Sequence, residues 1–494
     1  MPSRVVSYRP GPLQTAAVEP SSLARRFATI REELHVPGDF PPEVLAAVEA
    51  AIEPGRVPIP QVDLTDLGFW TLDPVGSMDL DQAMVLAREG AGYRVRYAIA
   101  DVPGFVAAGG PIDAEARRRG QTIYLPDARV PLHPPRLSEG AASLLPEQER
   151  PAYVWDLRLD EHAAVTSVHV GRALVRSIAR RDYLSVQALV DQGQADEQVV
   201  LLQEVGHKRA ALESARGGAS LPMPEQQVVH EGPGRYRLEF RPPLEAEDWN
   251  AQISLMTGMA AASLMLDAGV GILRTMPAPQ KDGVRRFRRQ ARALGIAWPD
   301  GQRYGDFLRS LDRTNPRHLA LIHEATALFR GAGYTPFDGS APGLREHAAV
   351  AAPYAHVTAP LRRLVDRFGL VVCAAVSAGE PVPAWAREAL PLLPTLMAEG
   401  DRRASAVERA CTDAVEAAVL SSHVGQALPG SVVDLNGRGV PVVQVLEPAV
   451  VAAAEGAAQL GDRVTVRVVG ADVAAGRVML RIESAGAAES PGEA

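Results

Sequence analysis

The chain has 494 residues, a formal net charge of −8 and a 47% hydrophobic composition, with Cys373 and Cys411 as its two cysteines. This length and apolar content predict two to four domains around a sizeable core. The absence of an uncharged apolar run of about 18 residues argues against a membrane span, and Met1-Pro2-Ser3-Arg4 lacks the apolar core of an export signal. Two cysteines in apolar, helix-like surroundings exclude a zinc site and a disulfide framework and point to a reducing, cytoplasmic compartment. The acidic balance excludes nucleic-acid binding by bulk positive charge and leaves room only for a local basic channel.

Residues 1 to about 20 are Pro-rich and expected to be irregular. Ser21 or Ser22 caps a helix that runs to Leu34, with Leu23, Phe27, Ile30 and Leu34 on one face. After the turn Pro37 to Pro42, a second helix starts on a proline and ends near Ile52. The pair can be read as a helix-turn-helix or as a plain packing unit. From about 60 to 425 one large mixed α/β domain is expected. Its strands are predicted at 68–72, 93–100, 153–159 and 235–241. Its helices are predicted at 249–268, 285–294, 316–332, 360–377 and 398–423. Beyond Gly425, short Val-rich alternating strands separated by Gly and Asp turns predict a five-stranded barrel of the OB type. The fold class is therefore α+β. It divides into a helical module (1–58), a mixed α/β domain (59–424), an OB-type barrel (425–484) and a disordered tail (485–494).

The densest chemistry lies in Thr71-Leu72-Asp73-Pro74-Val75-Gly76-Ser77-Met78-Asp79-Leu80-Asp81-Gln82. Three carboxylates crowded in an apolar setting repel one another unless a cation binds them. A hard divalent ion with oxygen ligands is the usual solution, Mg²⁺ above all where the substrate is a phosphate ester. Asp79 and Asp81 are two apart, so extended chain points both to one side and Leu80 to the other. A second strand, Tyr93 to Ala100, ends at Asp101, so two strands could deliver acids to one metal cradle. A solvated acidic loop is the alternative reading.

Three further segments carry chemistry. In Thr358-Ala359-Pro360-Leu361-Arg362-Arg363, a capping threonine and an early proline open a helix beside two arginines. That is a ready anion site or, equally, a surface arginine pair. Tyr124, in Ile123-Tyr124-Leu125-Pro126-Asp127, is either a core residue or a platform for a base. Arg117 to Arg119 and the cluster Arg285 to Arg292 read as solvated basic helix faces. Almost every cation is arginine, which can bind phosphate bidentately.

The Asp-x5-Asp-x-Asp spacing in a Thr-Leu-Asp-Pro setting, Ile99-Ala100-Asp101-Val102, Tyr124-Leu125-Pro126-Asp127, Leu137-Ser138 and Thr358-x-Pro-Leu-Arg-Arg together resemble the catalytic RNB domain of the ribonuclease II/ribonuclease R family. The resemblance covers about residues 35 to 425, and the terminal barrel resembles the family's S1 domain. It implies processive 3′→5′ hydrolysis of single-stranded RNA to nucleoside 5′-monophosphates with one or two Mg²⁺ ions. The partner it implies is RNA with a free 3′ end, acted on by a monomer in RNA decay or 3′-end trimming. Asp73, Asp79 and Asp81 match three of four active-site aspartates, with Asp81 the one closest to catalysis. Arg362 matches the arginine on the scissile phosphate and Arg363 its basic neighbour. Tyr124 matches the clamp on the 3′-terminal nucleotide, Tyr183 a ribose-selecting tyrosine and Glu408 a glutamate near the terminal base.

The chain also departs from that pattern. Gln82 replaces the fourth aspartate, where its carbonyl can ligate a metal without charge. That reading predicts that Gln82→Asp tightens metal binding. Asn250 stands where a ribose-sensing glutamate is usual. No second stacking aromatic falls near 221–223, the first 60 residues leave no room for two cold-shock domains, and Gly425 to Ala494 contains no Phe, Tyr or Trp. The rival readings are a catalytically weak RNA binder on the same fold, a metal phosphodiesterase with relaxed sugar selectivity, and a DNA-binding regulator using the N-terminal helices.

Overall fold

Alternating apolar residues build the sheet that carries the acidic cluster. In the computed structural model, which describes residues 5–9, 22–219, 221, 223–232 and 235–486, the strands up to residue 241 are eleven. They are β1 (Val5–Arg9), β2 (Val62–Asp63), β3 (Phe69–Asp73), β4 (Gln82–Glu89), β5 (Gly92–Ala100), β6 (Ile123–Tyr124), β7 (Arg129–Val130), β8 (Glu149–Leu159), β9 (Val165–Asp182), β10 (Glu225–Gly232) and β11 (Arg235–Arg241). The central sheet has the order β2-β9-β3-β4-β5-β8, and β9 also pairs with β8. The first part of β9 runs antiparallel to β8 and its last residues run parallel to β3, so the sheet returns on itself.

Both faces of this sheet are covered. On β5, Tyr93, Val95, Tyr97 and Ile99 enter one core with the helices Glu197–Arg216, Glu245–Ala268 and Leu364–Ala378. Ala98 and Ala100 enter another, with Val44, Val48, Val102 and Leu137. This period-2 division between two cores matches the pleat. The 18-residue β9 and the helices Tyr183–Asp191 and Glu197–Arg216 were not expected. Buried Val170, Ala173 and Val175 are interspersed in β9 with Gly171, Arg172, Leu174 and Arg176, so no strict alternation marks the strand. Asp182 and Asp196 cap the two helices through the Ser185 and Val199 amides.

The N-terminal helices do not form a module of their own. Ser22–Glu33 buries Leu23, Phe27 and Ile30 in a core shared with Ile123, Leu125, Val407, Cys411 and barrel valines. Pro42–Ala51 buries Val44 and Val48 against the far face of the central sheet. Two helices committed to different cores fit the reading of the pair as packing elements. Residues 5–9 are also not irregular, because β1 adds in parallel to β10, itself antiparallel to β11. Residues 1–4 and 10–21, with the Ser21 cap, lie outside the described residues.

The terminal segment forms the expected closed five-stranded barrel, from Ala427–Leu435, Pro441–Val445, Val450–Glu455, Arg463–Asp472 and Arg477–Gly486. Val432, Val443, Val450, Val466 and Leu480 fill it. Ala485 and Gly486, expected in a disordered tail, complete its last strand; residues 487–494 lie outside the described set. The helix expected to reach 332 stops at Ala325 and passes through a short turn, Thr326–Leu328. The chain then becomes the strand Gly333–Asp338, paired with Val270–Thr275.

Candidate active site

The acidic segment links β3 to β4. Asp73 ends β3, and Leu80 anchors the crossing: it is fully buried, its amide accepted by Ser143 Oγ at 3.0 Å and its carbonyl bonded by the Leu144 amide at 3.0 Å. That anchor turns Asp79 and Asp81 to the opposite side. Asp81 is 2% exposed; its Oδ1 accepts the Leu361 amide at 2.7 Å, and its Oδ2 has no hydrogen-bond partner. Burial drives its pKa well above the carboxylate range, against the pull of Arg362. Asp73 Oδ2 is likewise buried without a partner, and burial pushes the group up to about 7, with Arg362 opposing and Asp79 adding to the rise.

The other two positions of the cluster are engaged. Arg129 of β7 forms an ion pair with Asp79 and also holds Glu139. The Gln82 amide nitrogen donates to the Thr358 carbonyl. Asp79 and Gln82, expected among the metal ligands with Asp73 and Asp81, thus each have a protein partner in this structure. Among the described residues no group of three His, Cys, Asp or Glu side chains is disposed to hold a metal. Asp73 Oδ2 and Asp81 Oδ2 are the oxygens of the segment that are buried without a hydrogen bond. Asp101 is no part of the cradle. It caps Val102–Phe105 through the Gly104 amide and pairs with Arg172.

The arginine segment differs from a capped helix. The helix begins at Leu364, with Arg363 at its cap, and residues 359–362 form a tight turn before it. Asp366, fully buried, accepts the Ala359 amide at 2.8 Å and holds Arg363 through both of its oxygens. Arg363 is thus a clamp inside the turn, whereas it was expected on RNA. Arg362 points outward: its side chain is 48% exposed and its Nε stands 3.5 Å from Asp81 Oδ2. The turn also pairs with 120–122, through Thr122 N to Arg362 O at 2.9 Å and Leu364 N to Gly120 O at 3.0 Å. This pairing brings the hairpin β6–β7, and with it Tyr124, to the arginine.

Tyr124 is 42% exposed, so it is not a core residue, and Arg362, Asp79, Arg129 and Asp81 all act on its phenol. Tyr183, next to Asp73 and Arg362 electrostatically, accepts a hydrogen bond from Asn250 Nδ2 at 2.9 Å; Asn250 Oδ1 is buried without a partner. Glu408 lies on the helix Leu393–Ser421, whose Val407 and Cys411 share a core with Ile123 and Leu125 on either side of Tyr124. Leu221 and Met223 sit in the small helical core around Phe287 and Phe307. Arg119 is not on a solvated face: it is buried, paired with Glu115 and stacked over Phe40 at 3.7 Å. Arg285 conforms to expectation at 69% exposure. Sequence reasoning missed Arg129 and Asp366, whose partners lie 50 residues away in one case and one helical turn away in the other. An Arg-x2-Asp spacing at a helix start is the signal that could have suggested the second.

The RNB domain model matches residues 61–372, and the model of the RNase II-type exonuclease C-terminal S1 domain matches 426–483. The chain belongs to the RNB-domain family. Among curated relatives, it is 29% identical over 336 residues to the probable exosome complex exonuclease RRP44 of Caenorhabditis elegans, covering 64% of this chain and 34% of that protein. It is 29% identical over 324 residues to ribonuclease R of Escherichia coli, covering 62% and 39%. The chain thus spans little more than a third of the length of these relatives. Its fold matches apo ribonuclease R of Mycoplasma genitalium with a TM-score of 0.83 at 19% identity, over 93% of this chain and 78% of that one. It also matches yeast Ssd1, described as a pseudonuclease, with a TM-score of 0.63 at 14% identity, over 81% and 51%. The family generally uses a divalent metal, and the donor set here fits one: two buried carboxylates, each with an oxygen that lacks a hydrogen bond and each raised in pKa by burial, a cost that a bound cation would offset. No described helix is long and apolar enough to cross a membrane.

Proposed function

We propose that this chain is a processive 3′→5′ exoribonuclease that hydrolyses single-stranded RNA from a free 3′ end to nucleoside 5′-monophosphates, as a monomer acting in RNA decay or 3′-end trimming. The observation that carries the reading is the pairing of a buried, unpartnered Asp81 oxygen with an outward-facing guanidinium 3.5 Å away, within the RNB fold. Arg362 neutralises the charge that grows on the phosphate oxygens as water attacks. Asp81 orients that water and takes its proton. Tyr124 stacks on the terminal base, and Tyr183 with Asn250 faces the sugar, where the free Asn250 Oδ1 can accept a ribose hydroxyl. Asp73 and Asp81 would hold Mg²⁺, which when bound supplies positive charge and a lowered pKa for a water ligand.

The test is incubation of uniformly labelled oligo(A) with Mg²⁺. Release of labelled nucleoside 5′-monophosphates with little accumulation of intermediate lengths is expected. Asp81→Asn, which keeps an oxygen for the Leu361 amide, should bind the oligomer while cleavage falls by about 10²–10⁴-fold; near-normal cleavage by that variant rejects the assignment. A second reading, an RNA binder that does not cut, is favoured by the capture of Asp79 by Arg129. An intact oligomer after prolonged incubation with wild-type protein would establish it. Equal cleavage of a DNA oligomer would instead favour a phosphodiesterase with relaxed sugar selectivity.

A further inference from the structure

Gln82 directly follows Asp81, at the first position of β4, where it pairs with Ile99 of β5. Its side chain is directed at the arginine turn: the amide nitrogen donates to the Thr358 carbonyl. Thr358 is 4% exposed, and its hydroxyl lies 2.9 Å from Ser254 Oγ, one helical turn beyond Asn250. Three residues on, the Leu361 amide donates to Asp81 Oδ1 at 2.7 Å. Two adjacent residues of the metal segment therefore grip the turn at two points with opposite polarity. Asp81 accepts from an N–H and Gln82 donates to a C=O. A carboxylate at position 82 cannot do this, since it has no hydrogen to donate and would set an oxygen against a buried carbonyl oxygen.

We infer that Gln82 is a positioning residue, which fixes the turn from Thr358 to Arg363 and so aims Arg362 over Asp81, in place of the fourth metal ligand expected from its position in the cluster. The kinetic part of this inference rests on the proposed function; the structural part does not. The side chain matters because, among the described residues, the ion pair that Arg362 makes is the 3.5 Å approach to Asp81 Oδ2. Its direction is set by the backbone that carries it.

The experiment uses the full chain with Gln82→Met, close in length but without a donor, and Gln82→Glu, equal in length but acceptor-only. Backbone amide exchange at Ala359 and Leu361 is followed in metal-free, RNA-free protein, with barrel amides as the control for global stability. Mn²⁺ affinity is measured by calorimetry without RNA, and kcat and KM are measured on a single-stranded oligoribonucleotide. Loss of one hydrogen bond and exposure of its buried partner should speed exchange at both amides by about 10-fold in both variants. It should lower kcat by about 10-fold with KM unchanged and leave the Mn²⁺ affinity of Gln82→Met at the wild-type value. Unchanged exchange at Ala359 and Leu361, or a Mn²⁺ affinity lost in Gln82→Met, overturns the inference. If the wild-type chain does not cut RNA, the proposed function fails, and the exchange and Mn²⁺ results still decide what Gln82 does.

Discussion

Replacing Arg363 with alanine separates a clamp from a phosphate contact. Asp366 is fully buried, and among the described residues Arg363 is its ion-pair partner, with both carboxylate oxygens engaged and the Arg363 side chain 20% exposed. Removing one member of a buried pair leaves an uncompensated charge, at a cost of about 3–5 kcal/mol. Asp366 keeps the Ala359 amide at 2.8 Å, and partial exposure of the arginine admits water, so the lower figure of about 3 kcal/mol applies. At roughly 2.1 cal/mol/K per residue, a cooperative unit of about 300 residues then loses about 5 °C in Tm. The assay is scanning calorimetry of wild type and Arg363→Ala without metal or RNA, followed by KM on a short oligoribonucleotide. A Tm within about 1 °C of wild type together with a KM raised about 10-fold would refute the clamp and return Arg363 to the RNA.

Two further outcomes follow from the same structure. Tyr124→Ala should raise KM by about 5- to 160-fold, from a stacking contribution of about 1–3 kcal/mol per base, with Tm unchanged because the ring is 42% exposed; Tyr124→Phe should stay near wild type, and a phenylalanine as poor as alanine would reject stacking. Glu204, hydrogen-bonded by Arg88 and then by Tyr93, is held down to about 2. A depressed carboxylate stabilises the fold above its unfolded pKa and loses that contribution as pH falls from about 4.3 toward 2. Thermal melts at pH 7 and pH 3 should therefore show Glu204→Gln less stable than wild type at pH 7, with the gap narrowing at pH 3. An unchanged gap would contradict the assignment.

Much of the fold was legible because its signals are local. The β5 pattern from Tyr93 to Ala100 alternates, the Val-rich barrel strands recur between Gly and Asp turns, Glu245–Ala268 is an unbroken run rich in Ala, Leu and Met, and Leu393–Ser421 keeps one apolar face. The strand β9 escaped notice because its inward residues include small Ala173 among arginines, and its pairing with both β8 and β3 is non-local. The N-terminal helices look like a unit in sequence because they are adjacent, yet each finds its apolar partner in a different core.

By itself, the sequence determined the chemistry available at the site: carboxylates at 73, 79 and 81, arginines at 362 and 363, a tyrosine at 124 and an amide at 82. Neighbours in the link between β3 and β4 also divided: Leu80 went to the core, while Asp79 and Asp81 lie close enough to act on each other electrostatically. Only the tertiary structure decided which of these groups is already neutralised. Arg129 reaches Asp79, Asp366 holds Arg363 and Thr358 accepts from Gln82, while Asp73 and Asp81 keep an unpartnered oxygen and Arg362 keeps its exposure. The reason is physical: a side chain's charge is written in its residue type, but whether that charge is satisfied depends on what folding places within about 3 Å of it.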